Sequence, residues 1–309
     1  MRYYTALTIA GSDSCGGAGI QADIKTMSAL GVYAASAITA ITVQNTTGVF
    51  DIQKIEPHIV SGQIKAVMDD IHPDAIKIGM VNDAETIHAI AETLKEYAPS
   101  THSPSKDSNH QHPFYLTIDP VMVSTSGCRL MQADALDFFI KELLPLATLL
   151  TPNIPEAEIL AGMKIQNVDD IRLAATRIIQ LGCDNVLIKG GHFDGEEKTD
   201  FLFEKNDFEK NDFKNTADCL CEEREGTTYL ETKYKGETVH TRNTHGTGCT
   251  LSSAITSFLA RGSKMENAIA SAKKYLSDAI YAGKNVEIGK GHGPVNHFHA
   301  PLKLLMTKE

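Results

Sequence analysis

The stretch from Tyr4 to Leu30, Y-T-A-L-T-I-A-G-S-D-S-C-G-G-A-G-I-Q-A-D-I-K-T-M-S-A-L, sets the architecture. Tyr4 to Ala10 is a β-rich run stopped by Gly11-Ser12-Asp13-Ser14. Gly16-Gly17-Ala18-Gly19 then leads into Ile20, Ile24, Met27 and Leu30 at helical spacing. Strand, glycine-rich loop and helix in that order form the opening unit of an α/β sheet, and a loop at a strand's carboxyl end is where such sheets bind ligands. The loop does not match G-x-G-x-x-G, and G-x-x-x-x-G-K-[ST] occurs nowhere, so neither a dinucleotide fingerprint nor a Walker A loop is indicated.

The alternation continues along the chain. A nearly uncharged second strand spans Ala34 to Val43 and closes on Gln44-Asn45-Thr46-Thr47-Gly48. Pro57 to Met68 and Ala84 to Tyr97 read as helices around a short buried strand, Ala75 to Gly79. Phe114 to Ile118 is a strand ending in Asp119-Pro120, followed by a loop with Gly127. Ala133 to Leu144 is an amphipathic helix, Ala147 to Thr151 a strand, and Pro152-Asn153-Ile154-Pro155-Glu156 opens another helix. Asp169 to Leu181 is a helix closed by Gly182, and Val186 to Lys189 a strand running into Gly190-Gly191-His192. Two helices, Thr250 to Ala260 and Glu266 to Tyr281, complete the series. Repeated β–α units with apolar strands imply an α/β fold: a mostly parallel central sheet with helices on both faces, a three-layer sandwich.

Two segments break the rhythm of what reads as a single domain over 1–309. Residues 99–113 are rich in Ser, His and Pro and read as a flexible surface insert, whose histidines lack the ordered spacing of a metal site. Residues 203–226 carry the duplication E-K-N-D-F-E-K-N-D-F-K and read as a solvated hairpin extension or flexible flap. The glycine-rich tail from Gly289 to His299 is either a nucleotide border or an ordered loop.

Composition narrows the function. The chain of 309 residues is 42% hydrophobic, 22% charged and carries a net charge of −10, so it offers no basic face to nucleic acid or anionic membrane. Its six cysteines are scattered without a C-x-x-C pair, which argues for free thiols rather than a disulfide framework or zinc. No apolar run reaches the length of a membrane span and the N-terminus lacks a signal pattern, so a cytoplasmic protein is expected.

The chemistry concentrates at Asn243 to Ala254, N-T-H-G-T-G-C-T-L-S-S-A. Gly246 and Gly248 precede an apolar helix, leaving backbone N–H groups to cradle an anion. Cys249 falls in the first turn, where the helix dipole favours thiolate; the plain alternative is a turn with a small buried thiol. Under the parallel-sheet reading, Gly11 to Asp13, Gln44, Asp119, Asn153 with Glu156, Lys189 and the 246–249 loop share one edge. Together they supply carboxylates for a hydrated magnesium ion, a lysine for phosphate and an N–H cradle for a transferred phosphoryl group, which is the equipment of a kinase. Taken singly, Asp119 and Glu156 would read as helix caps or a surface pair, and Gln44 as a solvent-facing loop residue.

The strings T-A-L-T-I-A-G-S-D-S-C-G-G-A-G-I-Q-A-D-I-K-T, A-I-T-V-Q-N-T, I-K-I-G-M, L-L-T-P-N-I-P-E-A, V-L-I-K-G-G-H and N-T-H-G-T-G-C-T-L-S-S-A resemble the hydroxymethylpyrimidine/phosphomethylpyrimidine kinases of thiamine biosynthesis, in the ribokinase superfamily. The match runs through nearly the whole chain in order, and G-T-G-C is its telling element, because sugar-kinase members carry Asp where Cys249 stands. The resemblance implies a ribokinase-like fold, ATP and Mg2+ as cofactors, and a homodimer. It also implies that Gln44 bonds the aminopyrimidine, with Gly11, Ala18, Asp23 and Met80 around it. Glu156 would act on magnesium through water, with Asp119 near the metal. Lys189 would touch phosphate beside Asn153, and Gly246, Thr247, Gly248 and Cys249 would form the anion hole. Departures from the pattern lie in 99–113 and 203–226. The rival readings are a pyridoxal kinase, whose substrate is also a flat ring bearing a hydroxymethyl group, and a catalytically silent sensor of pyrimidine or nucleotide.

Overall fold

The first strand, β1 (Thr5–Ala10), is buried along its whole length, as a strand covered on both faces must be. Its Leu7 and Ile9 join one hydrophobic cluster and its Ala6 another, so side-chain alternation divides the core into two layers. Helix α1 (Gly19–Ala29) follows, then β2 (Tyr33–Ile38), β3 (Ala40–Asn45), β4 (Gly48–Lys54), α2 (Pro57–Asp70), β5 (Ala75–Ile78), α3 (Ala84–Tyr97) and β6 (Tyr115–Ile118). Next come α4 (Ala135–Phe138), β7 (Leu149–Leu150), α5 (Ile154–Ala161), α6 (Val168–Gln180) and β8 (Asn185–Ile188). The chain continues through β9 (Glu197–Lys205), β10 (Cys219–Arg224), β11 (Thr227–Glu237), α7 (Thr247–Ala260) and α8 (Met265–Gly283). This computed structural model describes residues 1–97, 114–122, 130–132, 134–190, 197–205, 219–224 and 227–307.

The main sheet has nine strands in the order β10-β11-β9-β8-β7-β6-β5-β1-β2. The pairings from β2 to β8 are parallel, and β8, β9, β11 and β10 extend the sheet antiparallel. On one face Leu7, Ile9, Ile76, Ile78 and Ile118 pack with Val60 and Ile64 of α2, Ile87 and Ile90 of α3, and Ile171 and Ile178 of α6. On the other, Leu149, Leu187 and Leu202 pack with Leu251 and Ile255 of α7 and Ile269 and Tyr275 of α8. Among the described residues no helix is long and apolar enough to cross a membrane.

The structure revises two sequence expectations. The run Ala34 to Val43 is two strands: β2 ends at Ile38, and β3 leaves to pair antiparallel with β4 as a separate two-stranded sheet. From Ala40 onward, buried and exposed residues alternate (Ala40 and Thr42 in, Ile41 and Val43 out), the signature of a strand with one wet face. The helix expected over Ala133 to Leu144 is a short α4, a π turn at Phe139–Leu143 and a 3-10 turn at Leu144–Leu146, with Pro145 unable to carry an α-helical hydrogen bond. Within 203–226, Phe203 is fully buried in β9, and Cys219–Arg224 pairs with β11 at one edge of the sheet. Residues 206–218, with most of the duplication, and the insert 99–113 lie outside the described residues.

Polar groups interrupt the layer between the sheet and helices α1 and α7. Lys77, on β5, and Asp23, on α1, pair at 2.8 Å with both side chains fully buried. Asp23 also accepts from Thr8 Oγ1 on β1 and Ser253 Oγ on α7, each at 2.6 Å. One carboxylate thus ties two strands to two helices. A buried pair is worth little over an apolar replacement, but removing one partner strands the other charge in low dielectric. Lys77→Met should cost about 3–5 kcal/mol in urea unfolding, and Asp23→Leu/Lys77→Met should be more stable than Lys77→Met alone; equal losses in both would show that the charge pairing is not what matters.

Candidate active site

Helix α7 starts without a side-chain cap, and its N-cap residue Gly246 has φ 78°. That left-handed backbone suits glycine, and a Cβ there would run into the Gly17 carbonyl, so the first turn of α7 lies directly against the loop after β1. The uncapped N–H groups and the positive end of the dipole form an anion site at the head of α7. A Cβ on Gly248 would come within 3.3 Å of Asp119 Oδ2 and 3.6 Å of Lys189 Nζ, which places a buried ion pair beside the turn. Lys189 Nζ lies 2.8 Å from Asp119 Oδ1, which also receives the Thr151 hydroxyl at 3.3 Å.

Asn153 and Glu156 form a capping box on α5: Glu156 N donates to Asn153 Oδ1 and Asn153 N to Glu156 Oε2, both at 2.9 Å. This fixes the Glu156 carboxyl near the ion pair. Burial pushes it up to about 7, with Asp119 adding to the rise and Lys189 opposing it. The sequence reading that put a thiolate at Cys249 is corrected here. Burial raises the thiol to about 11; Lys77 and the Gly19 N–H act in the other direction, and the carboxylates of Asp23 and Asp119 add to the rise.

These groups line one cleft of about 840 Å³, within the ordinary range for small-molecule sites. Its lining includes Gly11, Ala18, Gln44 and Met80, together with Asp119, Asn153, Glu156, Lys189 and the loop Gly246, Thr247, Gly248, Cys249. Leu276 and Ile280 of α8 also line it, and α8 was not foreseen as part of the site. Asp23 is not among the residues lining the cleft; it is fully buried in the Lys77 network. The tail from Gly289 to His299 packs against the turn after β3 and against His245. His292 N donates to Thr46 O at 2.9 Å, Gly291 N to Thr46 Oγ1 at 3.1 Å, and Pro294 bridges to His245. Sequence reasoning left His245 without a role, although it sits inside the quoted N-T-H-G-T-G-C string. His192 lies outside the described residues.

A family model for phosphomethylpyrimidine kinase matches residues 13–296. The chain belongs to this family. A hydroxymethylpyrimidine/phosphomethylpyrimidine kinase from Rhizobium meliloti (strain 1021) is 45% identical over 296 residues, covering 95% of this chain and 97% of that protein. The crystal structure of phosphomethylpyrimidine kinase from Clostridium difficile 630 is 45% identical with a TM-score of 0.69, covering 89% of this chain and 99% of that one. An ADP complex of Bacillus subtilis pyridoxal kinase is 33% identical with a TM-score of 0.74, covering 95% and 96% of the two chains. The fold is ribokinase-like and the family is one of kinases, which implies use of ATP.

With the thiol pushed up to about 11, Cys249 keeps its proton at neutral pH and gains thiolate only as pH rises toward that value. Iodoacetamide should modify it at pH 7.5 on the order of a hundredfold more slowly than free cysteine, as read by mass spectrometry of the Cys249 peptide. Labelling as fast as the free amino acid would mean that the helix dipole outweighs burial.

Proposed function

We propose that this protein transfers the γ-phosphoryl group of ATP to the hydroxymethyl oxygen of 4-amino-5-hydroxymethyl-2-methylpyrimidine, and then a second to the phosphate of the monophosphate, within thiamine biosynthesis. The carrying observation is that Gln44, the Asp119–Lys189 pair, Glu156 and the Gly246 to Cys249 loop all line one cleft. Gln44 reads the ring edge, Gly11, Ala18 and Met80 shape its pocket, and Leu276 and Ile280 of α8 receive the adenine. Lys189 and Asn153 meet phosphate oxygens, and the α7 N–H groups hold the charge that develops on the transferred group. The same cradle serves the monophosphate, whose phosphate becomes the acceptor.

A magnesium ion fits this donor set. Glu156 is a buried carboxyl that burial holds near 7, beside a second carboxylate, and a divalent cation held through water by Glu156 and Asp119 would favour its ionised form. When bound, the ion supplies charge neutralisation on the phosphates. The Cys249 thiol holds its proton at rest, so this loop acts through its N–H groups more than through sulfur, consistent with a loose transition state that needs little base assistance.

Pyridoxal is the second reading, supported by the 33% identity to the Bacillus subtilis pyridoxal kinase over 95% of the chain. A silent sensor has less support, because pure binding would not call for the Asp119–Lys189 pair beside Glu156. ADP release should be measured with the pyrimidine alcohol, its monophosphate, pyridoxal and a sugar, each with and without magnesium. The expected result is magnesium-dependent turnover of both pyrimidines, and turnover of pyridoxal far above either would move the assignment.

We also propose a homodimer built on the outer face of the β3–β4 hairpin. Two strands alone are marginally stable, and this pair exposes Ile41, Val43 and Phe50 at 46%, 57% and 65%. Phe50→Glu should shift the protein toward monomer in sedimentation velocity, and an unchanged dimer would place the interface elsewhere.

A further inference from the structure

The side chain of Gln44 is held by groups whose hydrogens can be assigned. A β-bulge between Val43 and Gln44 re-aims this residue, and Ser14 fixes its backbone: Gln44 N donates to Ser14 Oγ at 2.9 Å, and Ser14 Oγ to Gln44 O at 2.6 Å. The carboxamide oxygen lies 3.2 Å from Thr42 Oγ1 and the nitrogen 3.4 Å from His245 Nε2. Oxygen and nitrogen of a carboxamide are told apart by their partners.

Asp13 settles the first partner. Its Oδ2 accepts from Gly17 N at 3.0 Å and Ala18 N at 2.7 Å, its Oδ1 from Cys15 N at 3.0 Å, and Cys15 Sγ stands 3.3 Å from Oδ2. Such a carboxylate is ionised, and its carboxyl group is held down at about 2, where bonds from His245 and Cys15 offset burial. An ionised carboxylate only accepts, so His245 Nε2, 2.8 Å from Oδ2, carries a proton and donates it. These donors also make Asp13, Cys15 and His245 a structural hub rather than a cation site. Thr42 settles the second partner: its one hydroxyl proton goes to Ser12 O at 2.7 Å, so toward Gln44 it can only accept.

With those assignments, oxygen toward Thr42 sets acceptor against acceptor, and nitrogen toward His245 sets two N–H groups against each other. A half-turn of the carboxamide removes both conflicts: the nitrogen donates to Thr42 Oγ1, and the oxygen becomes the minor acceptor of the Nε2–H that His245 gives mainly to Asp13. We infer that Gln44 points its nitrogen at Thr42 and its oxygen at His245, and that His245, pinned by Asp13, is a positioning residue that sets which ring edge the cleft accepts. One N–H and one oxygen lone pair then remain for a ligand, in a fixed order along the edge. That order suits a ring presenting an exocyclic amine to the oxygen and a ring nitrogen to the N–H. The 4-oxo analogue, with an acceptor and a ring N–H, requires the reverse and would break the relay. The inference rests on the kinase reading only for the choice of ring.

Affinities of the 4-amino pyrimidine alcohol and its 4-oxo analogue should be measured by calorimetry, alongside KM and kcat for the alcohol and for ATP. His245→Leu should reduce amino-over-oxo discrimination on the order of tenfold, with KM for ATP nearly unchanged. Thr42→Val frees the other side of the amide and should act in the same direction. His245→Gln keeps a donor at the same place and should retain discrimination within about threefold of wild type. Unaltered discrimination in both His245→Leu and Thr42→Val, or a loss in His245→Gln as large as in His245→Leu, would overturn the inference. Wild type that binds the amino ring selectively but does not phosphorylate it would overturn the proposed reaction alone, and wild type that binds neither ring would overturn both.

Discussion

The carboxylate of Asp23 is where the sheet and its helices are forced into one arrangement. Apolar contacts between α7 and the sheet tolerate small slides, because dispersion and burial are non-directional. Three directional bonds into one carboxylate, from Lys77, Thr8 and Ser253, do not. Helix α7 must seat with Ser253 over Asp23, which in turn sets its first turn against Gly17 and beside Asp119 and Lys189. The anion site therefore takes its position from a bond made one and a half turns further along the same helix.

Much of this was legible in the sequence because the relevant signals are local. Glycines before a small-residue helix announce an exposed helix start, and the alternation of elements announces a parallel sheet whose carboxyl edge carries Asp119 and Lys189, whereas Gln44 lies on β3 of the separate hairpin. What stayed hidden depends on burial and on long-range pairing. Lys77 lies within an apolar strand run, and nothing in I-K-I-G-M says whether its side chain points into a helix layer or toward solvent. Asp23 was named only through the family resemblance, and its place in the Lys77 network depends on the rotation of α1 against the sheet. Cys249 shows two local rules in competition: the dipole was visible, but desolvation, which dominates, is a property of the assembled fold. The split of Ala34 to Val43 was missed because Thr39 offers no turn chemistry; the change of partner, not of propensity, ends β2.

The Gly246 to Cys249 loop stands beside two carboxyl groups that share one lysine. Glu156 is pushed up by burial while sitting close to Asp119, and Lys189 is shared between them. Stability alone would favour an apolar replacement. Groups kept in such an environment are relieved by a charged guest, and phosphates with their counter-ion are guests of that kind.

The bonds that shape the ring end of the cleft span most of the chain. His245 reaches Asp13 across 232 positions, and Gly291 reaches Thr46 across 245. Each closes a long loop whose entropy must be spent before the contact returns anything. A nascent chain bearing β1, α1 and the β3–β4 hairpin therefore has the Gln44 carboxamide but not the partner that orients it. The inferred recognition edge of Gln44 is therefore complete only when the segment carrying His245 has folded back onto the loop after β1.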